Sequence, residues 1–134
     1  MNLLVDTSVW SLALRRDSRP HIRQVAFLRD SLERGGAIFT TGLVLQELLQ
    51  RIAGPRARRQ IVERFRLLPF VAPDRDDHIE AAELRNVCRR KGVQVGTIDA
   101  LLARLCIRYD LVMLSTDADF SRIAKLRPLS VWSP

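Results

Sequence analysis

Five acidic residues, spread along the whole chain, stand where a carboxylate is either unexpected or chemically useful. Asp6 ends the apolar run LLV, and Asp117 and Asp119 follow the apolar run LVML. Asp99 falls within the apolar face of a predicted helix, and Glu47 lies at the edge of another. A carboxylate among buried apolar residues is costly unless another group compensates its charge.

A shared divalent cation would provide that compensation. Several carboxylates in one cleft repel each other, so they cannot all stay ionised without a cation. The predicted set offers oxygen ligands only, with no His or Cys, and oxygen ligands favour a hard ion such as Mg²⁺ or Mn²⁺. The acid pattern therefore indicates metal-dependent chemistry.

Asp99 and Glu47 each have a second interpretation. An acid in the first turn of a helix is common because it interacts favourably with the helix dipole, but such a residue faces solvent. Asp99 instead falls among leucines, which favours a functional role. Glu47 is spaced to form a surface ion pair with Arg51, four residues later, so its pattern alone leaves both roles open.

Short apolar runs alternate with helical patterns along the chain, and these elements must position the acids. Strands are predicted at 3–5, 37–39, 68–73, 111–114 and 129–132. Helices are predicted at 9–14, at 20–34 after Ser18 and Pro20, at 42–53, 55–67 and 74–91, from the Thr97 cap to 109, and after 115. Strands separated by helices, without hairpin signals, predict a three-layer α/β/α fold with a central parallel sheet of four to five strands. Ligands bind beyond the carboxyl ends of such strands, where three of the acids are expected.

Length and composition narrow the class of protein. The 134 residues with 47% hydrophobic content predict one soluble domain. There is no signal peptide and no apolar stretch of about 20 residues, so we expect a cytoplasmic protein. Cys88 and Cys106 lack the spacing of a zinc site or a disulfide framework, which favours two reduced structural thiols.

The basic residues suggest a polyanionic partner. The chain has 22 basic and 15 acidic residues, and all the basic ones except Lys91 and Lys125 are arginines. Arginine binds phosphate in a bidentate manner, although solvated helix faces explain the pattern equally well. The arginines form two clusters, Arg56, Arg58, Arg59, Arg64 and Arg66 in the first, and Arg85, Arg89 and Arg90 in the second.

Four motifs in a fixed order, VDTSVW, LVLQELL, TIDALLA and LSTDADF, resemble those of PIN-domain ribonucleases. More narrowly, they are similar to the VapC toxins of bacterial toxin-antitoxin pairs. The resemblance covers essentially the whole chain and implies a single PIN domain over residues 1–134. Matched motif by motif, it places the family's metal-binding and catalytic acids on Asp6, Glu47, Asp99 and Asp117. It also implies Asp119 as a variable additional acid and Thr116 as a small hydroxyl residue before Asp117.

The resemblance implies a Mg²⁺-dependent endoribonuclease in which Mn²⁺ can substitute. Metal held by Asp6, Asp99 and Asp117 would activate a water for in-line attack on phosphorus, and Glu47 would orient the water, deprotonate it or complete the metal shell. No His lies among the motifs and no 2′-hydroxyl nucleophile is needed, so we predict 5′-phosphate and 3′-hydroxyl ends. Candidate RNA contacts are Arg56, Arg58, Arg59, Arg89 and Arg90.

The partners are also implied by the resemblance. VapC-like toxins form homodimers, and a small DNA-binding antitoxin of the VapB type fills their acidic cleft, giving a heterotetramer or a larger complex. The predicted helices at 20–34 and 42–53 are the expected contact surfaces, although core packing explains their apolar faces equally well.

Other functions account for fewer of these residues. A phospho-accepting receiver domain needs a paired Asp after its first strand, whereas Asp6 stands alone. A noncatalytic RNA-binding module gives no reason for the acids, and a PIN nuclease outside a toxin-antitoxin pair remains an alternative. His21 and His78 are expected at the surface, and Trp10 and Phe120 in the core rather than against a base.

Overall fold

The computed structural model describes residues 1–15 and 21–134, which form four strands and seven helices. The strands are β1 (Leu3–Val5), β2 (Ile38–Phe39), β3 (Val112–Leu114) and β4 (Ser130–Val131). The helices are α1 (Thr7–Ala13), α2 (Arg23–Glu33), α3 (Gly42–Arg51), α4 (Pro55–Phe65), α5 (Arg75–Arg90), α6 (Thr97–Tyr109) and α7 (Asp119–Ala124). Ser18 and Pro20, which the sequence predicts to start the second helix, lie outside the described residues.

The four strands form one parallel sheet in the order β2-β1-β3-β4. Leu4 of β1 pairs with Phe39 of β2 on one side and with Met113 of β3 on the other. Because every pairing is parallel, the carboxyl ends of all four strands lie at the same edge of the sheet. The predicted α/β fold with a parallel sheet is therefore confirmed.

The sheet lies between two layers of helices. All three residues of β1 are buried although successive side chains point to opposite faces, so both faces of the sheet are covered. The apolar faces of α2 and α3 pack into this core through Val25 and Leu28 and through Val44 and Leu48. Trp10 and Phe120 are also core residues, as predicted.

The predicted third strand at 68–73 is reduced to a single bridge between Thr40 and Phe70. The Thr40 N–H donates to the Pro69 carbonyl at 2.9 Å, and the Val71 N–H donates to the Thr40 carbonyl at 2.9 Å. Pro69 and Pro73 have no N–H, so this segment cannot extend a regular ladder. The prediction of a strand here was therefore wrong, although the segment does lie beside the sheet edge.

Helix α6, which carries Asp99, is held against α5 by a buried charge network. Asp74 and Asp77 form a capping box at the start of α5. The Asp77 carboxylate, which is fully buried, also accepts a hydrogen bond from the Arg104 Nε at 3.0 Å and one from the Arg108 Nη1 at 2.5 Å. The predicted cap of α6 was wrong by one residue, because Gly96 occupies the N-cap position and Thr97 is already helical.

The two cysteines behave as the sequence predicts. Cys88 and Cys106 are both buried and free of any disulfide. Burial raises the pKa of each thiol, which keeps it protonated and unreactive. Separately, within the described ranges no helix is both long and apolar enough to span a bilayer.

Candidate metal centre

Three carboxylates come together at the carboxyl edge of the sheet. Asp99 lies in the first turn of α6, Asp117 in the loop after β3, and Asp119 at the start of α7. One oxygen from each of these carboxylates lies within 4.8 Å of the other two. Convergent carboxylate oxygens at this spacing suit a hard divalent cation, so the donor set fits Mg²⁺ or Mn²⁺.

Asp6 lies at the end of β1 and is only 8% exposed. Its Oδ2 accepts a hydrogen bond from Ser8 Oγ at 2.9 Å and one from Ser115 Oγ at 2.8 Å. Within the described part of the chain, no hydrogen bond is donated to its second oxygen, Oδ1. The hydroxyl groups therefore orient Asp6 and leave Oδ1 available to another ligand.

The same two serines connect the first strand to the loop after the third. Ser115 Oγ accepts a hydrogen bond from the Asp117 N–H at 2.9 Å, and Ser8 Oγ accepts one from the Thr116 N–H at 3.2 Å. Asp6 and Asp117 are thereby held in a fixed relation although 110 positions separate them in the sequence numbering. Thr116 was predicted to contribute its hydroxyl group. In the structure it donates its backbone N–H to Ser8, and the residue is exposed.

Sequence reasoning missed both serines in this role. Neither Ser8 nor Ser115 was predicted to contact an acid. The available signal was positional, because each serine lies two residues from an acid that follows a strand.

Asp119 belongs to the tight acid cluster rather than standing at its margin. Its N–H donates to Asp117 Oδ1 at 2.9 Å, which connects the two acids directly. Its own Oδ1 accepts a hydrogen bond from Arg122 Nη1 at 2.7 Å, one turn along α7. Arg122 therefore compensates part of the negative charge of Asp119.

Glu47 is half-buried on α3 and lies outside the tight cluster. Its Oε2 is 3.8 Å from Arg51 Nη2, so the surface ion pair that the spacing allowed is present. Its negative charge nevertheless acts on Asp99, whose pKa it helps to raise. Both interpretations of Glu47 are therefore compatible with its position.

Electrostatic repulsion in the site is concentrated on Asp99. Burial is the main cause that raises its pKa, to about 6, and the charges of the surrounding acids add to the shift. These acids are, in order of decreasing effect, Asp6, Asp117, Asp119 and Glu47. A cation held among these carboxylates would remove the cause of the repulsion.

The remaining candidates lie on the surface. Arg56, Arg58 and Arg59 are exposed on α4, and Arg89 and Arg90 are exposed on α5. His21 and His78 are exposed as predicted.

Comparisons with known proteins place these features in context. The sequence profile described as PIN domain matches residues 3–126. No curated protein matches the sequence significantly.

Solved structures with similar folds cover nearly the whole chain. The VapBC2 complex from Rickettsia felis, bound to a DNA fragment from its promoter, superposes with a TM-score of 0.75 at 19% identity, covering 98% of both chains. FitAcB from Neisseria gonorrhoeae gives a TM-score of 0.74 at 19% identity, covering 98% of this chain and 97% of the other. VapC20 from Mycobacterium tuberculosis, a toxin that cleaves the sarcin-ricin loop, gives 0.69 at 18% identity, covering 90% and 93%.

Proposed function

The chain belongs to the PIN-domain family, and we propose that it is a divalent-metal-dependent endoribonuclease that acts as the toxin of a toxin-antitoxin pair. The observation that carries the proposal is the convergence of Asp99, Asp117 and Asp119 beside the oriented carboxylate of Asp6. We also propose that residues 1–134 form a single PIN domain. The toxin role is supported by structural similarity to VapBC and FitAB proteins, whose fold this chain shares.

We assign Asp6, Asp99 and Asp117 to metal binding, with Asp119 as an additional ligand. When bound, Mg²⁺ or Mn²⁺ supplies an activated water and neutralises charge on the phosphate. The serine pair holds Asp6 so that one carboxylate oxygen remains available, which reduces the reorganisation that binding requires. Glu47, next to the cluster and half-buried, either accepts a proton from the attacking water or orients that water.

The expected products have 5′-phosphate and 3′-hydroxyl ends, because the acid cluster contains no His to activate a 2′-hydroxyl group. For the toxin role, we propose a VapB-type antitoxin as partner, which covers the acidic edge and prevents RNA access. We also propose a homodimer, in line with the expectation from the sequence.

The test is RNA cleavage by the purified protein with Mg²⁺ or Mn²⁺, with EDTA, and by the Asp99→Asn variant. We expect EDTA to abolish cleavage and Asp99→Asn to reduce it by about 100-fold or more, as expected when a group that stabilises transition-state charge is removed. Asp30→Asn is the matched control and should keep full activity, because among the described residues the exposed Asp30 side chain pairs with Arg34 alone, on the surface of α2.

Cleavage that survives Asp99→Asn, or products with 2′,3′-cyclic phosphate ends, would refute the assignment. RNA binding without any cleavage by the wild-type protein would instead favour the noncatalytic alternative.

A further inference from the structure

The two arginine clusters of the sequence differ in what their side chains contact. On α5 the guanidinium groups are engaged, since Arg89 donates to Asn86 Oδ1 at 2.6 Å and Arg90 lies 3.4 Å from Glu83 Oε1. Arg85 likewise donates to the Val95 carbonyl at 2.7 Å. These side chains would have to give up existing contacts to bind another molecule.

The arginines of α4 make no such contacts. No guanidinium group of Arg56, Arg58, Arg59 or Arg64 forms a hydrogen bond or an ion pair with any residue in 1–15 or 21–134. The first three are exposed, and the helix contains a single acid, Glu63. Helix α4 therefore presents concentrated positive charge that the described fold does not neutralise.

A groove of about 390 Å³ lies between α4, α1 and α3. Its floor is apolar, formed by Leu14, Leu48, Ile52 and Ile61. Its rim carries the guanidinium group of Arg64, one of the α4 arginines, and two further ones from Arg15 and Arg51. The groove thus combines an apolar surface with positive charge at its margin.

The groove and the acidic site are connected through helices α1 and α3. Arg51 lines the groove and also lies 3.8 Å from Glu47, whose charge acts on Asp99. Helix α1 begins directly after Asp6, and its C-terminal end lines the groove through Leu14 and Arg15. Arg51 is therefore the groove residue that connects this surface to the acidic site.

We propose that the unengaged arginines of α4, Arg56, Arg58, Arg59 and Arg64, together the α4 face, bind the single-stranded RNA that the acidic site cleaves. The groove beside Arg64 would accept one of its bases. This inference rests on the proposed ribonuclease function. Without a bound cation the acidic site repels phosphates, so we expect a separate basic surface to supply much of the RNA affinity. Free guanidinium groups bind phosphates and stack on bases, and an apolar floor accepts an unpaired base, which a double helix does not offer.

The test compares two matched double variants in an Asp99→Asn background, where binding is measured without cleavage. Arg58→Gln/Arg59→Gln removes two free guanidinium groups from α4, and Arg89→Gln/Arg90→Gln removes two engaged ones from α5. Binding of a fluorescently labelled single-stranded RNA is followed by anisotropy over a range of KCl concentrations. Thermal melts establish that both variants are folded.

We expect the α4 variant to bind RNA about tenfold more weakly, with a log-log salt slope smaller by about 1.4, since each phosphate contact on a single strand contributes about 0.7. The α5 variant should match the parent protein in affinity and slope. Equal losses in both variants, or a loss in the α5 variant alone, would overturn the assignment of the face.

Two further outcomes have defined meanings. If the α4 variant binds RNA normally but loses affinity for a polyglutamate peptide, the face binds an acidic protein partner and the inference is wrong. If the wild-type protein binds RNA through α4 but does not cleave it, the proposed function fails while this inference stands.

Discussion

Asp99 combines the two conditions that make a carboxylate hard to ionise. It is half-buried at the first turn of α6, and acids from β1, α3 and the β3–α7 region surround it. A residue placed there for the helix dipole alone would face solvent and would need no neighbouring acids. The position is therefore better explained by a ligand that all these acids share.

The raised pKa of Asp99 predicts how the metal-free protein responds to pH. Its pKa is about 6 in the folded protein, against an ordinary value of 3.8. Between those values the folded protein holds more protons than the unfolded chain, so this group lowers the free energy of unfolding as the pH rises from about 4 to about 6. Above about pH 6 the destabilisation is complete.

Asp99→Asn should therefore raise the stability of the metal-free protein at pH 7 and flatten its decline between pH 4 and pH 6. Urea unfolding in EDTA at several pH values measures both effects, with Asp30→Asn as the control that keeps the wild-type slope. If the stability of Asp99→Asn followed the wild-type pH curve, ionisation of Asp99 would not be the cause of the destabilisation.

At the scale of elements, the α5–α6 pair fixes where the first turn of α6 lies. Burial alone would raise the pKa of Asp77, but the Asp74 N–H and the guanidinium groups of Arg104 and Arg108 lower it below its usual value. Asp77 is thus held as a carboxylate that both caps α5 and anchors α6 at two positions one turn apart. The register of α6, and hence the place of Asp99, depends on this contact.

Asp77→Ala should destabilise the fold by about 3 kcal/mol, because it removes the buried partner of two arginines and part of a capping box. The value lies at the low end for a broken buried pair, since Arg104 and Arg108 are 25% and 34% exposed and water can reach them. Asp76 is exposed at the preceding position, and Asp76→Ala should change the free energy of unfolding by no more than about 0.5 kcal/mol. Chemical denaturation separates these cases, and equal effects of the two changes would contradict the network's role.

The sequence predicted the elements better than their contacts. Runs such as LLV and LVML identify buried strands, and parallel pairing then places Asp6 and Asp117 at one edge. The segment at 68–73 has strand-like composition, but its two prolines lack the backbone N–H groups that a regular ladder requires. Only the structure shows that the segment makes a single bridge to the neighbouring segment of the chain. The place of Asp119 in the cluster depends on how the loop after β3 turns into α7, and local composition does not specify that turn.

At the scale of the whole molecule, charge is separated. The net charge is +7, yet acids gather at the carboxyl edge of the sheet while unengaged arginines line α4. A basic face attracts a polyanion and an acidic edge repels it, so the two surfaces work together only if a cation lies at the edge. This separation connects the proposed metal site to the proposed RNA-binding face.

Metal binding should stabilise the entire fold, because the proposed ligands come from distant parts of the chain. Asp6 follows β1, Asp99 lies in the first turn of α6 and Asp117 follows β3, so the unfolded chain does not present them together. Binding to the folded state alone raises the free energy of unfolding by about 2.7 kcal/mol at a metal concentration 100 times the Kd. The melting temperature should rise with Mn²⁺ concentration in the wild-type protein and in Asp76→Asn, but much less in Asp99→Asn. An equal rise in all three proteins would place the ion elsewhere, and the acids at the sheet edge would then need another explanation for their convergence.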